Sequence, residues 1–229
     1  MVVCAYLRHL DAAGAGADTC AVTTLTIPGL PFPLAPSGSP PCQFQLRDGA
    51  LELTGGPRTD LFVDPAGDGP VPDAGCLLGA PPDGDFTLAA RVTVYFQKTY
   101  DAGVLLVHAG ERHWAKLCFE FSPQDQPTAV TVVTRKTSDD CNSFEVAGRT
   151  LWLRITRTGR AWAFHASTDG QWWRLLRYFS LGEHDAGAGA GQPVKVGFLA
   201  QSPTGDGCTA AFDQIQLRAG APVNLRDGS

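Results

Sequence analysis

Asp101 and Glu120 are the residues of this chain best placed for acid–base chemistry. They close the two ends of a run, Tyr100-Asp101-Ala102-Gly103-Val104-Leu105-Leu106-Val107-His108 followed by Trp114-Ala115-Lys116-Leu117-Cys118-Phe119-Glu120-Phe121, that reads as a β-hairpin. Alternation puts Ala115, Leu117, Phe119 and Phe121 on one face, and Trp114, Lys116, Cys118 and Glu120 on the other. Pairing His108 with His113 sets Val104 against Leu117, Leu106 against Ala115, and Asp101 against Glu120. Directly opposed β-carbons lie about 4.5–5.5 Å apart, close enough for one carboxylate to raise the pKa of the other. Such a pair could act as acid and base, and its spacing would suit retaining rather than inverting glycoside chemistry. A solvated salt-bridge cluster with Lys116 is the structural alternative.

A second hairpin shows a face of the same kind. In Leu151-Trp152-Leu153-Arg154-Ile155-Thr156, the apolar residues alternate with Trp152, Arg154 and Thr156. Its partner, Ala161-Trp162-Ala163-Phe164-His165-Ala166-Ser167, buries Trp162 and Phe164 and turns His165 outward. Setting Thr156 opposite Ala161 brings Trp152 to His165, and the next strand could add Arg174. Further on, Lys195 and Gln201 alternate against Val194, Val196, Phe198 and Ala200. Rings that stack and guanidinium forks that grip oxygens make a platform for a sugar or a carboxylate. Arg and Trp packed on a solvated sheet are the alternative reading.

Other chemistry finds less support. Asp139-Asp140-Cys141-Asn142 offers oxygens but not the EF-hand spacing, and reads as a hairpin loop with Asx turns. His108 and His113 lack a third ligand, so no metal site is expected. Ser167-Thr168-Asp169-Gly170 reads as a hairpin lock. No G-x-S-x-G, Walker loop, dinucleotide fingerprint or H-E-x-x-H is present, and no cofactor is expected. A net charge of -5 lacks the basic footprint that nucleic acid requires. No apolar run is long enough to span a bilayer, so no membrane partner is expected. The seven cysteines are scattered without a C-x-x-C pair, and no basic, apolar leader opens the chain. Both features suggest reduced thiols and a cytoplasmic protein.

These residues need a scaffold of strands. The 229 residues are rich in Gly (26) and Pro (17), and only 18% are charged. Strand-like runs cover 43–47, 50–54, 59–63, 86–96, 102–108, 113–121, 128–135, 150–157, 161–167, 172–179, 194–201 and 209–218, with turn residues between them. No sustained amphipathic helix interrupts them. The pattern predicts an all-β, two-sheet antiparallel sandwich with Leu117, Phe119, Leu153, Phe164, Val196 and Phe198 in its core. The expected organisation is a flexible extension over 1–22, one sandwich domain over 23–220 and a tail over 221–229. Residues 183–192 read as a flexible Gly/Ala loop.

An ordered set of motifs runs through the domain: Thr59-Asp60-Leu61-Phe62, Asp85-Phe86-Thr87-Leu88, Tyr100-Asp101-Ala102-Gly103, Trp114-Ala115-Lys116-Leu117-Cys118-Phe119-Glu120, Ser138-Asp139-Asp140, Ser167-Thr168-Asp169-Gly170 and Gly197-Phe198-Leu199-Ala200-Gln201-Ser202-Pro203. Over residues 43–217 the chain resembles the uncharacterised family that includes the fungal regulation-of-enolase protein. That resemblance implies a jelly roll of the concanavalin A-like lectin and glucanase type, a fold that hosts lectins, glucanases and lyases. The glucanase pattern Glu-x-Asp-x-x-Glu is missing, because Phe121 and Ser122 follow Glu120.

The leading expectation is a domain whose concave face binds a carbohydrate or another polar, hydroxylated small molecule. Trp114 and Trp152 would stack on it, and Lys116, Glu120, Arg135, Arg154, His165 and Gln201 would hydrogen-bond to it. One alternative is a glycoside hydrolase or lyase-like enzyme using Asp101 and Glu120. Another is a regulatory module whose partner is a metabolic enzyme.

Overall fold

Alternating apolar residues can be satisfied only by burying one face of each strand, and two sheets do this against each other. The computed structural model describes residues 24–67, 73–182 and 193–229. The expected extension over 1–22 and the loop over 183–192 lie outside the described residues.

The strands are β1 Ala35–Ser37, β2 Gln43–Arg47, β3 Ala50–Gly55, β4 Cys76–Gly79, β5 Phe86–Val94, β6 Ala102–Gly110, β7 His113–Phe121, β8 Pro127–Arg135, β9 Thr137–Glu145, β10 Thr150–Thr158, β11 Ala161–Ser167, β12 Arg174–Phe179, β13 Lys195–Gln201 and β14 Cys208–Ala219. They form two seven-stranded antiparallel sheets, sheet I in the order β1-β4-β13-β6-β7-β8-β9 and sheet II in the order β12-β11-β10-β5-β14-β3-β2. The architecture is the expected jelly-roll sandwich.

The inner faces meet in one core. Leu105, Val107, Leu117, Phe119, Val196 and Phe198 of sheet I pack on Leu88, Val92, Leu153, Ile155, Phe164 and Phe212 of sheet II. Phe198 meets Phe212 edge-on at 5.1 Å between ring centres, and Phe96 meets Phe119 at 5.2 Å. The six core residues expected from the pattern are all buried.

The β6–β7 register differs from expectation. A bulge between His108 and Gly110 sets Gly110 opposite His113, and His108 opposite Trp114. The extra residue shifts every pair below it by one. Val104 therefore faces Cys118, Leu106 faces Lys116, and Ala102 rather than Asp101 faces Glu120. The phase of β6 reverses with it, so Leu105 and Val107 enter the core.

The β10–β11 register is also corrected. The tight turn Gly159-Arg160 pairs Thr158 with Ala161, which sets Arg154 opposite His165 and Trp152 opposite Ser167. A bulge at Phe164/His165 then places Leu175 beside His165 and turns Arg174 onto the ring of Phe144, 4.6 Å away.

Two local expectations fail for want of a local signal. Residues 137–145 form strand β9, not a loop, because an edge strand can leave its polar side chains in water while pairing with β8. Residues 59–63 form no ladder. They cross the outer face of sheet I as a strap, tied at Thr59 to Ser202 and at Val63 to Ser138.

The five described cysteines are free: Cys42, Cys76, Cys118 and Cys208 are buried, and Cys141 is exposed. Burial pushes the thiols of Cys42 up to about 11, and of Cys76 and Cys208 up to about 12. Thiolates are the reactive form. Among these five, Cys141 is expected to react with a thiol reagent in the native protein, the rest only after unfolding. Peptide mapping of the label checks this, and native labelling of Cys118 would contradict it.

Candidate functional site

The outer face of sheet I is built where the strap passes over β7. Alternation sends Trp114, Lys116, Cys118 and Glu120 to this face. Leu61 and Val63 of the strap cover Trp114, whose indole N–H donates to the Leu61 carbonyl at 3.3 Å. Trp114 is 1% exposed and is therefore a packing residue beneath the strap, not an open stacking platform.

Lys116 is equally buried, and its Nζ donates to Asp60 Oδ1 at 2.7 Å and to Gln201 Oε1 at 2.9 Å. Burial opposes the ammonium charge, but Asp60, with Glu120 nearby, outweighs it and holds Lys116 above its ordinary range. Gln201 in turn donates to the Tyr100 carbonyl at 3.5 Å. Lys116 and Gln201, both expected on the ligand face though not as a pair, are thus in direct contact. Asp60 is the partner that sequence reasoning missed, because 56 residues separate it from Lys116 and nothing local marks the crossing.

Glu120 lies half-buried next to this pair. Burial and the negative charges of Asp60 and Asp140 outweigh the pull of Lys116, and its carboxyl is pushed up to about 8. Glu120 is consequently mostly protonated at pH 7. It can donate or accept a hydrogen bond where an ordinary carboxylate can only accept. Ala102 and Thr128 flank it in the neighbouring strands, and both are short.

Asp101 belongs to a different structure. Paired one position beyond Ala102, it projects from the face opposite to Glu120 and is fully buried. Its Oδ2 accepts from the amides of Gln97 and Lys98 at 2.8 and 2.9 Å, and its Oδ1 accepts from Ser202 Oγ at 2.6 Å. With its oxygens committed to the 97–101 turn and to Ser202, Asp101 is a structural carboxylate, and the expected acid–base pair with Glu120 is not formed. The turn holds Tyr100 at a φ of 71°, uncommon for so large a residue, and leaves the residue 40% exposed.

The remaining candidates lie elsewhere. Arg135 ends β8 on the opposite side of sheet I and reaches the Ser180 carbonyl at 3.5 Å. Trp152, Arg154 and His165 share the outer face of sheet II, across the core from Glu120. Trp152 packs beside Arg91 and donates to Gln214 Oε1 at 3.2 Å. Arg154 stacks on Trp173 at 4.3 Å and donates to the Gly228 carbonyl at 2.9 Å, and the His165 ring bonds the Leu225 carbonyl at 2.8 Å. The expected ligand face therefore divides between two sheets. Among the described residues, no cluster of His, Cys, Asp or Glu could hold a metal ion. No helix among them is long and apolar enough to cross a membrane.

Comparison with known proteins adds family and fold. No curated protein matches the chain in sequence. A functionally unknown protein from Saccharomyces cerevisiae has a similar structure, with 22% identity, a TM-score of 0.67 and coverage of 81% of this chain and 96% of that one. A GH43 protein from Bacillus licheniformis matches with 16% identity, a TM-score of 0.63 and coverage of 78% of this chain but only 35% of its own. An alginate lyase from Klebsiella pneumoniae matches with 15% identity, a TM-score of 0.55 and coverage of 78% and 84%. Identities this low establish the fold alone. Residues 39–220 match a family described as proteins of unknown function (DUF1349), and by that match the chain belongs to it.

Proposed function

We propose that the outer face of sheet I binds a neutral, hydroxylated ligand of the carbohydrate class around Glu120. The observation that carries this reading is the neutral, half-buried Glu120 carboxyl beside the Lys116–Asp60 pair. A sugar hydroxyl both donates and accepts, and a protonated carboxyl answers both roles. Tyr100, in its left-handed conformation at the same end of the sheet, offers an exposed ring for a sugar face. Buried Lys116 and Gln201 support the site from below. One fold neighbour, by its description a xylan beta-1,4-xylosidase, acts on a carbohydrate of this class.

A second reading is a hydrolase or lyase-like enzyme, favoured by one observation: Glu120 keeps its proton to about 8 with the Asp60 and Asp140 carboxyls nearby. A carboxyl that keeps its proton near neutrality is suited to the role of general acid. Glu120 would donate the proton.

The test is titration calorimetry with neutral xylo-, gluco- and manno-oligosaccharides at pH 6 and pH 9, paired with a product assay. Wild type is expected to bind at pH 6 and to weaken several-fold, up to about tenfold, at pH 9, where Glu120 ionises. Glu120→Gln is expected to bind at both values, and Glu120→Ala at neither. Loss of turnover with retained binding in Glu120→Gln would select the enzyme. Equal binding by Glu120→Ala and wild type would remove Glu120 from the site.

A further inference from the structure

A short segment lies over part of the outer face of sheet II, with Gly228 buried against it. Residues 224–229 fold on themselves: Gly228 N donates to the Asn224 carbonyl and Asn224 N to that of Ser229, both at 2.9 Å. This small knob is fastened to the sheet through two carbonyls, those of Leu225 and Gly228, bonded by His165 and Arg154. Arg226 adds a contact over the ring of Tyr178 at 5.8 Å. The polar attachment is thus made by backbone carbonyls and one exposed stacking contact, without an ion pair to the sheet among the described residues.

The surface beneath is unusually unsatisfied. Arg154 and His165 are directly paired, and Thr156 lies two residues along the same face of β10. Arg154 Nε, His165 Nδ1 and Thr156 Oγ1 are all buried without a hydrogen-bond partner, and His165 and Thr156 are 0% exposed. Buried polar groups are nearly always paired, so three orphans in one cluster call for an explanation. Arg154 also makes no ion pair among the described residues, and its row neighbours Ala89 and Gln216 carry no charge. Arg91 in the next row is neutralised by Asp213, so it does not compete.

The three atoms have defined appetites. The His165 Nε2–H donates to the Leu225 carbonyl, which leaves Nδ1 as a bare acceptor seeking a hydroxyl. Burial draws the His165 pKa down to about 4, and the positive charge of Arg154 works in the same direction, so the ring is neutral at pH 7. Arg154 Nε–H is a charged donor seeking an anionic oxygen, and its guanidinium lies against the Trp173 ring. One donor cation, one acceptor and one hydroxyl match a ligand that carries a carboxylate and hydroxyls on adjacent carbons.

We propose that this face is a second binding site, for a hydroxycarboxylate such as an acidic sugar, and that the segment Asn224–Gly228 is its displaceable cover. The cover satisfies Arg154 and His165 in part with its own backbone carbonyls, and the ligand satisfies them in full. This site is independent of Glu120, from which the core separates it.

Gly228 provides the lever for a test in the full chain. It sits at a φ of 79°, and a Cβ there would come within 2.5 Å of Arg154 Nη2 and 2.7 Å of Trp173 Cβ. Gly228→Val should therefore lift the cover. The probes are glucuronate, with glucose as the uncharged control, followed by calorimetry and by the imidazole NMR signals of His165. Gly228→Val is expected to bind glucuronate at least tenfold tighter than wild type, to move the His165 signals on binding, and to prefer glucuronate over glucose at least tenfold. Adding Arg154→Gln should abolish the preference. Arg154→Lys, which keeps the charge but lacks Nε, should reduce it several-fold and guards against a folding defect in the Gln variant. Unchanged affinity in Gly228→Val, equal binding of glucose, or full binding after both Arg154 substitutions would overturn the proposal.

Discussion

Asp101→Ala is expected to destabilise the protein by about 4 kcal/mol, far more than any surface carboxylate would. The side chain is fully buried and accepts from two backbone amides and from Ser202 Oγ. Bonds to a charged acceptor contribute about 1.5–3 kcal/mol each, and removing the acceptor leaves buried N–H groups unpaired. The loss should also spread. Ser202 is bridged to Thr59 at the foot of the strap, and the 97–101 turn carries Tyr100 and, through its carbonyl, Gln201. Asp101→Asn should recover part of the loss by keeping one acceptor oxygen. Urea unfolding at pH 7 measures both, and a shift below about 1 kcal/mol for Asp101→Ala would contradict the structural role.

Glu120→Gln is expected to change how stability depends on pH. The folded carboxyl titrates at about 8, against an ordinary value of 4.5. Between these values the unfolded chain has released the proton and the folded chain has kept it. The stabilisation from that retained proton is complete below pH 4.5 and is lost as pH rises through 8. Its ceiling is about 5 kcal/mol, and partial exposure reduces the working figure to about 2–3 kcal/mol. Glu120→Gln, neutral throughout, should lack this slope. Relative to wild type it should be about 2–3 kcal/mol more stable at pH 9 than the same comparison gives at pH 5. Parallel stability profiles from pH 5 to pH 9 would show that Glu120 ionises in the fold as it does in water.

How far the sequence could be read depended on the range of each signal. Strand phase is a period-two property of neighbouring residues, and it placed Leu117, Phe119, Leu153, Phe164, Val196 and Phe198 correctly in the core. Register is set by turn geometry. One unrecognised bulge at His108/Gly110 moved Asp101 away from Glu120 and reversed the phase of β6, although β7 was assigned correctly. Lys116, Glu120 and Gln201 were legible as members of one polar face. The Asp60 contact was not, because a strap carries no periodicity and its partner lies far along the chain. The basic and aromatic character of Trp152, Arg154 and His165 was equally legible, but not that their face lies across the core from Glu120. The fastening of residues 224–229 over Arg154 and His165 depends on backbone carbonyls, which every residue possesses and no sequence pattern reveals.

The most direct test of the account is an NMR titration of the Glu120 side-chain carboxyl carbon, alone and with a saturating neutral oligosaccharide. The expected midpoint is about 8 for the free protein, and higher with the sugar bound, because the ligand engages the protonated form. A midpoint near 4.5 in the free protein, or one unmoved by any oligosaccharide, would contradict it.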